Sequence, residues 1–475
     1  MQILTTMLFI PVITAILILI IKRESLIKFI SLISSILLFL ITIKLILNNT
    51  QNVYEEKYVW LPFININLHL FADNLSIVML LLTNFLMPIV ILSSYSNIKY
   101  KIKKYYFWLT ILHFSMIGVF ISIDALMFYI FWEMILIPMY FIIGIWGGDN
   151  RVYASLKFFI YTMSASILFL IGIIVIYFNL KANGNPSFEI IEYSKNTLSG
   201  NIRIFVFISF FIAFAVKTPL IPFHTWLPDA HVEAPTGASV ILAGILLKMG
   251  GYGFLRFLLP TFPDLSYKYS YFISLISTIA IIYAGLMAWL QTDIKKLIAY
   301  SSISHMGLVT LGIFSLNHTA INGAILQMIN HGISTGALFL AVGIIYERTH
   351  TRLIYDYGGI FKVMPFYSTF FIIILLSSIG FPTTNGFVGE ILTITGTFKT
   401  HKTLALLAII GIIIGAVYML ILSEKIFFGK INKNNFLQLN DLTLIEWLYV
   451  LPIIFIIFFI GLYPDFIISK IDLYT

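Results

Sequence analysis

Six ionisable side chains sit where an apolar chain should have none. Glu133 lies in FYIFWEMILIPMYF, Lys217 directly before the prolines of KTPLIPF, and Lys248 in SVILAGILLKMGGYGFL. His305 lies in SSISHMGLV, His331 in QMINHGIST and Glu390 in FPTTNGFVGEILTITG. At the centre of a bilayer such a group costs at least about 2.5–3.5 kcal/mol on insertion scales, so each one demands a reason. A lone histidine at that depth reads first as a hydrogen-bonded core residue. A lysine or glutamate is harder to explain by packing, and the set is more telling than its members. Burial and neighbouring charge shift these groups in opposing directions, so moving one proton can change the next group's protonation. The chemistry within reach of such a row is a proton relay lying parallel to a membrane. It is poor design for a core alone, because replacing buried ion pairs by apolar residues is often neutral or stabilising.

The elements that must hold this row follow from composition. Of 475 residues, 60% are hydrophobic and 11% charged; soluble domains run at about 45–50% and 25%. This excludes soluble enzymes, nucleic-acid binders and disordered scaffolds, and makes the lipid bilayer the first partner. The net charge of +8 then marks loops rather than a nucleic-acid footprint. With no cysteine, disulfides, thiolate nucleophiles and Cys-ligated iron–sulfur clusters are removed. We expect no cofactor on the chain itself.

The fold class expected is an all-α integral membrane protein of about 14 transmembrane helices. The spans fall near 2–20, 29–47, 74–95, 105–122, 124–146, 155–178, 202–224, 236–259, 270–290, 297–316, 321–345, 364–396, 403–424 and 443–469. The first reads as a retained span rather than a signal peptide, having no basic stretch ahead of it. The loops near 48–73 and 179–201 are the largest. Loops after odd-numbered spans hold about 17 of the 29 basic residues, which makes them cytoplasmic and puts both termini on the opposite side.

Spans 7 and 12 are interrupted: Pro219 and Pro222 follow Lys217, and Gly380 and Pro382 precede Glu390. Broken helices carrying a charge mark ion sites in transporters. The two breaks lie five spans apart, and a repeat of odd length must be inverted in the membrane. Spans 4–8 and 9–13 are therefore expected to form two inverted five-helix repeats. The division is residues 1–104 (three N-terminal helices), 105–259 and 270–424 (the repeats), and 425–475 (the last helix and tail).

Other polar residues say less. Asp229, His231 and Glu233 in HTWLPDAHVEAP have the types of metal ligands but suggest no fourth donor, and capping and packing explain them better. Asp73 and Asp124 begin spans, where a carboxylate favours a helix N-terminus. Lys157 and Arg256 lie near span ends and are expected to snorkel. His69, His113, His318, His350 and His401 fall nearer to interfaces. The Gly-Gly pairs at 147–148, 250–251 and 358–359 follow no strand and lack phosphate-loop spacing.

Residues 217–257, with FWEMILIPMYFIIGIWGG (131–148), SSISHMG (301–307), HGISTGALF (331–339) and FVGE (387–390), carry a resemblance over nearly the whole chain. It resembles the antiporter-like, proton-pumping subunits of respiratory complex I (NADH-quinone oxidoreductase), and among them the chain M type, chain 4 in mitochondria. The related chain N carries a Lys where this chain has Glu390, and the related chain L is longer by a lateral helix.

The resemblance implies a subunit of a proton-translocating NADH:quinone oxidoreductase, with NADH, FMN, iron–sulfur clusters and quinone on partner subunits. Those partners are other membrane-arm and peripheral-arm subunits, including neighbouring antiporter-like chains. It implies that Glu133 pairs with Lys217, that this pair modulates the central Lys248, and that His305 and His331 lead on to Glu390 as the terminal exchange residue. The fourth span offers only His113 where some relatives carry an acid. The expected location is a bacterial inner membrane, with the mitochondrial inner membrane as the alternative, and the termini periplasmic. The alternatives in function are a multisubunit cation/proton antiporter, a membrane-bound hydrogenase, or a spacer that moves no protons.

Overall fold

The computed structural model describes residues 2–47, 53–61, 66–432 and 434–471. Among them thirteen helices are long and apolar enough to cross a membrane. They begin with α1 (Ile3–Ile20), α2 (Glu24–Leu47), α3 (Asn74–Asn97), α4 (Ile102–Ile121), α5 (Ala125–Trp146), α6 (Arg151–Ala182) and α7 (Gly200–Lys217). A short helix α8 (Trp226–Glu233) follows the first break. Then come α9 (Thr236–Thr261), α10 (Pro263–Trp289), α11 (Ile294–Phe314) and α12 (His318–Thr349). The shorter α13 (Pro365–Ser378) and α14 (Asn385–Thr400) flank the second break, before α15 (Lys402–Phe427) and α16 (Leu444–Leu462). With α13–α14 counted as one interrupted span, the expected fourteen are present.

The apolar stretches of α9 and α12 are buried along their whole length, whereas α1, α2, α15 and α16 turn most of theirs outward. An all-apolar helix has no preferred face, so position in the bundle decides what it touches. Glycines let α9 and α12 run antiparallel in close contact. A Cβ on Gly332 would lie 2.8 Å from the Gly244 carbonyl oxygen, and one on Gly336 3.5 Å from Val240 Cγ1.

The segment near 48–73, expected to be a loop, holds a hairpin. Strands β1 (Val53–Leu61) and β2 (Ile66–Asp73) pair antiparallel from Val53↔Asp73 to Leu61↔Ile66, with an irregularity between Val59 and Leu61. The remainder of that loop, 48–52 and 62–65, lies outside the described residues. VYEEKYVWL and INLHLFAD alternate residues that suit a pleated, half-buried surface. The hairpin is tied to the bundle: the Leu4 and Thr5 amides donate to the Glu56 carboxylate at 2.8 and 2.9 Å, satisfying free donors of α1.

Three residues expected near interfaces or span ends are buried within the protein. Arg256 does not snorkel; its guanidinium donates in bidentate fashion to Asp73, at 2.8 and 2.6 Å, joining the end of β2 to α9. Asp73 also accepts from the Ser76 amide at 3.0 Å and so caps α3. Burial pushes the Asp73 carboxyl up, but the Arg256 charge and hydrogen bonds outweigh it and hold it below 3.8. His113 bonds to Asn84 Oδ1 at 2.7 Å, and Asn84 in turn donates to Thr42 at 2.7 Å. His69 lies between Glu55, at 2.7 Å, and Glu189, at 3.2 Å. Tertiary partners far along the chain decided these positions, and depth alone could not reveal them. Lys157 does reach the span edge, where it pairs with Asp229 at 2.6 Å.

Candidate functional site

Lys248 is wholly buried on α9, between two π-helical turns, Leu242–Leu246 and Phe254–Leu258. Such turns widen a helix and accumulate at functional positions. The Lys248 ammonium folds back to donate to the Ala243 carbonyl inside the first π turn. Its Nζ also lies 2.6 Å from His331 Nδ1 on α12. The close Gly244–Gly332 crossing explains this contact, because it brings the neighbouring residue of α12 against the lysine's tip. Gly332→Ala is therefore expected to lower the stability of the purified protein by about 1–3 kcal/mol through overpacking. Detergent unfolding checks this, and an unchanged midpoint would contradict the tight crossing.

From His331 the row continues to His305 on α11, with ring centroids 5.5 Å apart. His305 Nδ1 is 3.7 Å from Glu390 Oε1. The spatial order is Lys248, His331, His305, Glu390, so the two histidines appear in the reverse of their chain order. Small cavities adjoin this stretch. One of about 20 Å³ is lined by His305, Ser304, Ser378 and Glu390; another of about 10 Å³ by His305, His331, Gln327 and Asn330. A single water needs roughly 10–15 Å³ and polar partners.

The second break positions Glu390. Gly380 has φ +67°, a conformation that favours glycine, and a Cβ there would collide with the Glu390 carboxylate. Asn330 donates to the Asn385 carbonyl at 2.6 Å, and Ser334 meets Ser377 at 2.5 Å, fastening the break to α12. The six-residue reading missed Gln327, Asn330 and Ser334. Their signal was present: with His331 they recur at helical spacing on one face of an otherwise apolar span.

Glu133 and Lys217 stand apart from that row and, among the described residues, form no ion pair with each other. Lys217 is buried without a hydrogen-bond partner among the described residues, its Nζ 5.0 Å from the centre of the Trp132 ring. Glu133 Oε1 is likewise buried and unpartnered, with the Ser166 hydroxyl beside its carboxylate. Each remains close enough to act electrostatically on the other. The metal-like trio does not converge. Asp229 bonds Lys157, Glu233 accepts from the Asn150 amide at 2.9 Å, and His231 lies flat on Phe339 at 4.4 Å.

Comparison with known proteins agrees over the whole chain. Residues 122–415 match the family model described as NADH:quinone oxidoreductase/Mrp antiporter, TM. NADH-quinone oxidoreductase subunit M of Rickettsia prowazekii is 47% identical, covering 95% of this chain and 92% of that protein. NADH-ubiquinone oxidoreductase chain 4 of Chondrus crispus is 44% identical, covering 88% and 84%. A chain of respiratory complex I from Thermus thermophilus with bound NADH superposes with a TM-score of 0.90 at 28% identity, covering 100% of this chain and 99% of that one. The chain thus belongs to the NADH:quinone oxidoreductase/Mrp antiporter family of membrane subunits, among the relatives named subunit M and chain 4.

Proposed function

We propose that the chain is the antiporter-like subunit of a proton-translocating NADH:quinone oxidoreductase. Electrons pass from NADH to quinone in partner subunits, which carry the FMN and iron–sulfur clusters, and this chain turns the released energy into proton movement. The observation that carries the reading is the buried file Lys248–His331–His305–Glu390. In it Lys248 takes a proton from the cytoplasmic side when Lys217 swings toward Glu133. The proton then passes through His331 and His305 to Glu390, which exchanges it onward. Among the described residues Lys217 has no hydrogen bond to break before it moves. Spans 4–8 and 9–13 act as the two inverted halves, residues 105–259 and 270–424, each with its broken helix. The membrane is a bacterial inner membrane with both termini periplasmic, and the neighbours are other antiporter-like chains.

Glu133→Gln and Lys217→Ala test the switch. In proteoliposomes with the intact complex, each is expected to leave the complex assembled and slow proton translocation roughly tenfold, an added barrier of about 1.4 kcal/mol. If both affect assembly alone, the chain is a spacer. Co-purification with flavin and iron–sulfur subunits separates the oxidoreductase from a stand-alone antiporter.

A further inference from the structure

The row described above begins at Lys248, which has no contact with water; something must supply its proton. His231 is wholly buried on α8, and among the described residues neither ring nitrogen has a hydrogen-bond partner. A buried orphan imidazole is costly, so its persistence points to a ligand or a transfer step. Its surroundings are specific. Lys295 on α11 donates to the Ala234 carbonyl, three residues along from His231, at 2.9 Å, and acts electrostatically on the ring. Lys248 does so from the other side, and His331 is also within electrostatic reach.

The α12 helix measures the gap. Phe339, on which His231 stacks, and His331 are eight residues apart on one face, with Thr335 midway. Among the described residues the Thr335 hydroxyl is buried and unpartnered too, as is His331 Nε2. The Lys248 ammonium is held at the Ala243 carbonyl, next to the Gly244–Gly332 crossing. From that level to Phe339 is six or seven residues, about 9–10 Å of rise. One hydroxyl and a water or two span it at about 2.8 Å per hydrogen bond.

We propose that His231 is the inlet proton carrier, linking the loop end of α11, where Lys295 is buried, through Thr335 to Lys248. The ring gains a proton on its outer nitrogen and releases the one on its inner nitrogen. It ends neutral in the other tautomer, with one proton delivered to the neutral Lys248 amine. The inference rests on the proposed pumping role and adds the residue that feeds it.

His231→Phe keeps the stack on Phe339 and removes both nitrogens. In proteoliposomes with the intact complex, protons translocated per NADH are expected to fall by the share this chain carries, with assembly unchanged; wild-type pumping overturns the proposal. Should that variant not assemble, His231→Gln replaces it under the same criterion. His231→Ala supplies the readout that packing would not move. Added imidazole should restore pumping, whereas pyrazole, of the same shape but a far weaker base, should not. Rescue by both or by neither overturns the proposal. Thr335→Val should slow pumping without abolishing it. Lys248→Met, run alongside, separates the two failures. If it pumps normally the relay itself is wrong; if it stops pumping while His231→Phe does not, only the inlet is wrong.

Discussion

Lys248→Met should stop proton movement through this chain while leaving the bundle standing. Methionine matches the lysine stem in length and is at home in a buried apolar site, so the Gly244–Gly332 crossing survives. What disappears is the amine bonded to His331. A positioned acid or base contributes about 10²–10⁴-fold to a proton transfer, and the expected loss of flux through this chain is at least about 100-fold. Protons translocated per NADH in proteoliposomes, together with native-gel assembly, measure it. Redox-coupled pumping at the wild-type ratio in an assembled complex would end the relay assignment.

The second large effect falls on stability. Arg256→Leu leaves Asp73 buried without its partner, and breaking such a pair from one side costs about 3–5 kcal/mol. Asp73 still caps α3 through Ser76, so the damage is electrostatic rather than a lost helix end. Adding Asp73→Asn removes the stranded charge and keeps an acceptor for the cap. The double variant should recover most of the loss, which detergent unfolding of the three proteins would reveal. Because the Asp73 carboxyl is held below 3.8, the pair contributes above that range and fades only as the pH falls through it. A single variant as stable as the wild type at neutral pH would show that the contact is incidental.

The sequence exposed what lipid makes expensive. A charge in an apolar run cannot be hidden by neighbouring residues, so Lys248, Glu390 and the rest were legible one by one. Their partners were not. Chain order put His305 before His331, but proximity to Lys248 depends on where two helices cross, and Gly244 and Gly332 look like any other small residues until both helices are in place. The resemblance implies that Glu133 pairs with Lys217, yet Trp132 takes the position beside the ammonium. The β1–β2 hairpin escaped because its strands mix Glu, Lys and Asn with aromatics, a pattern a polar connection shares. Arg256 escaped because snorkelling and pairing begin from the same place near a span end.

The contact between Lys248 and His331 spans 83 positions of chain. A ribosome adding about 5–20 residues each second needs roughly 4–17 seconds to make that stretch. Through that interval α9 has entered the membrane with an amine whose second partner, His331, does not yet exist, against a cost of at least about 2.5 kcal/mol. The nascent first half therefore has a reason to linger beside the insertion machinery, and α12 is the helix whose arrival releases it.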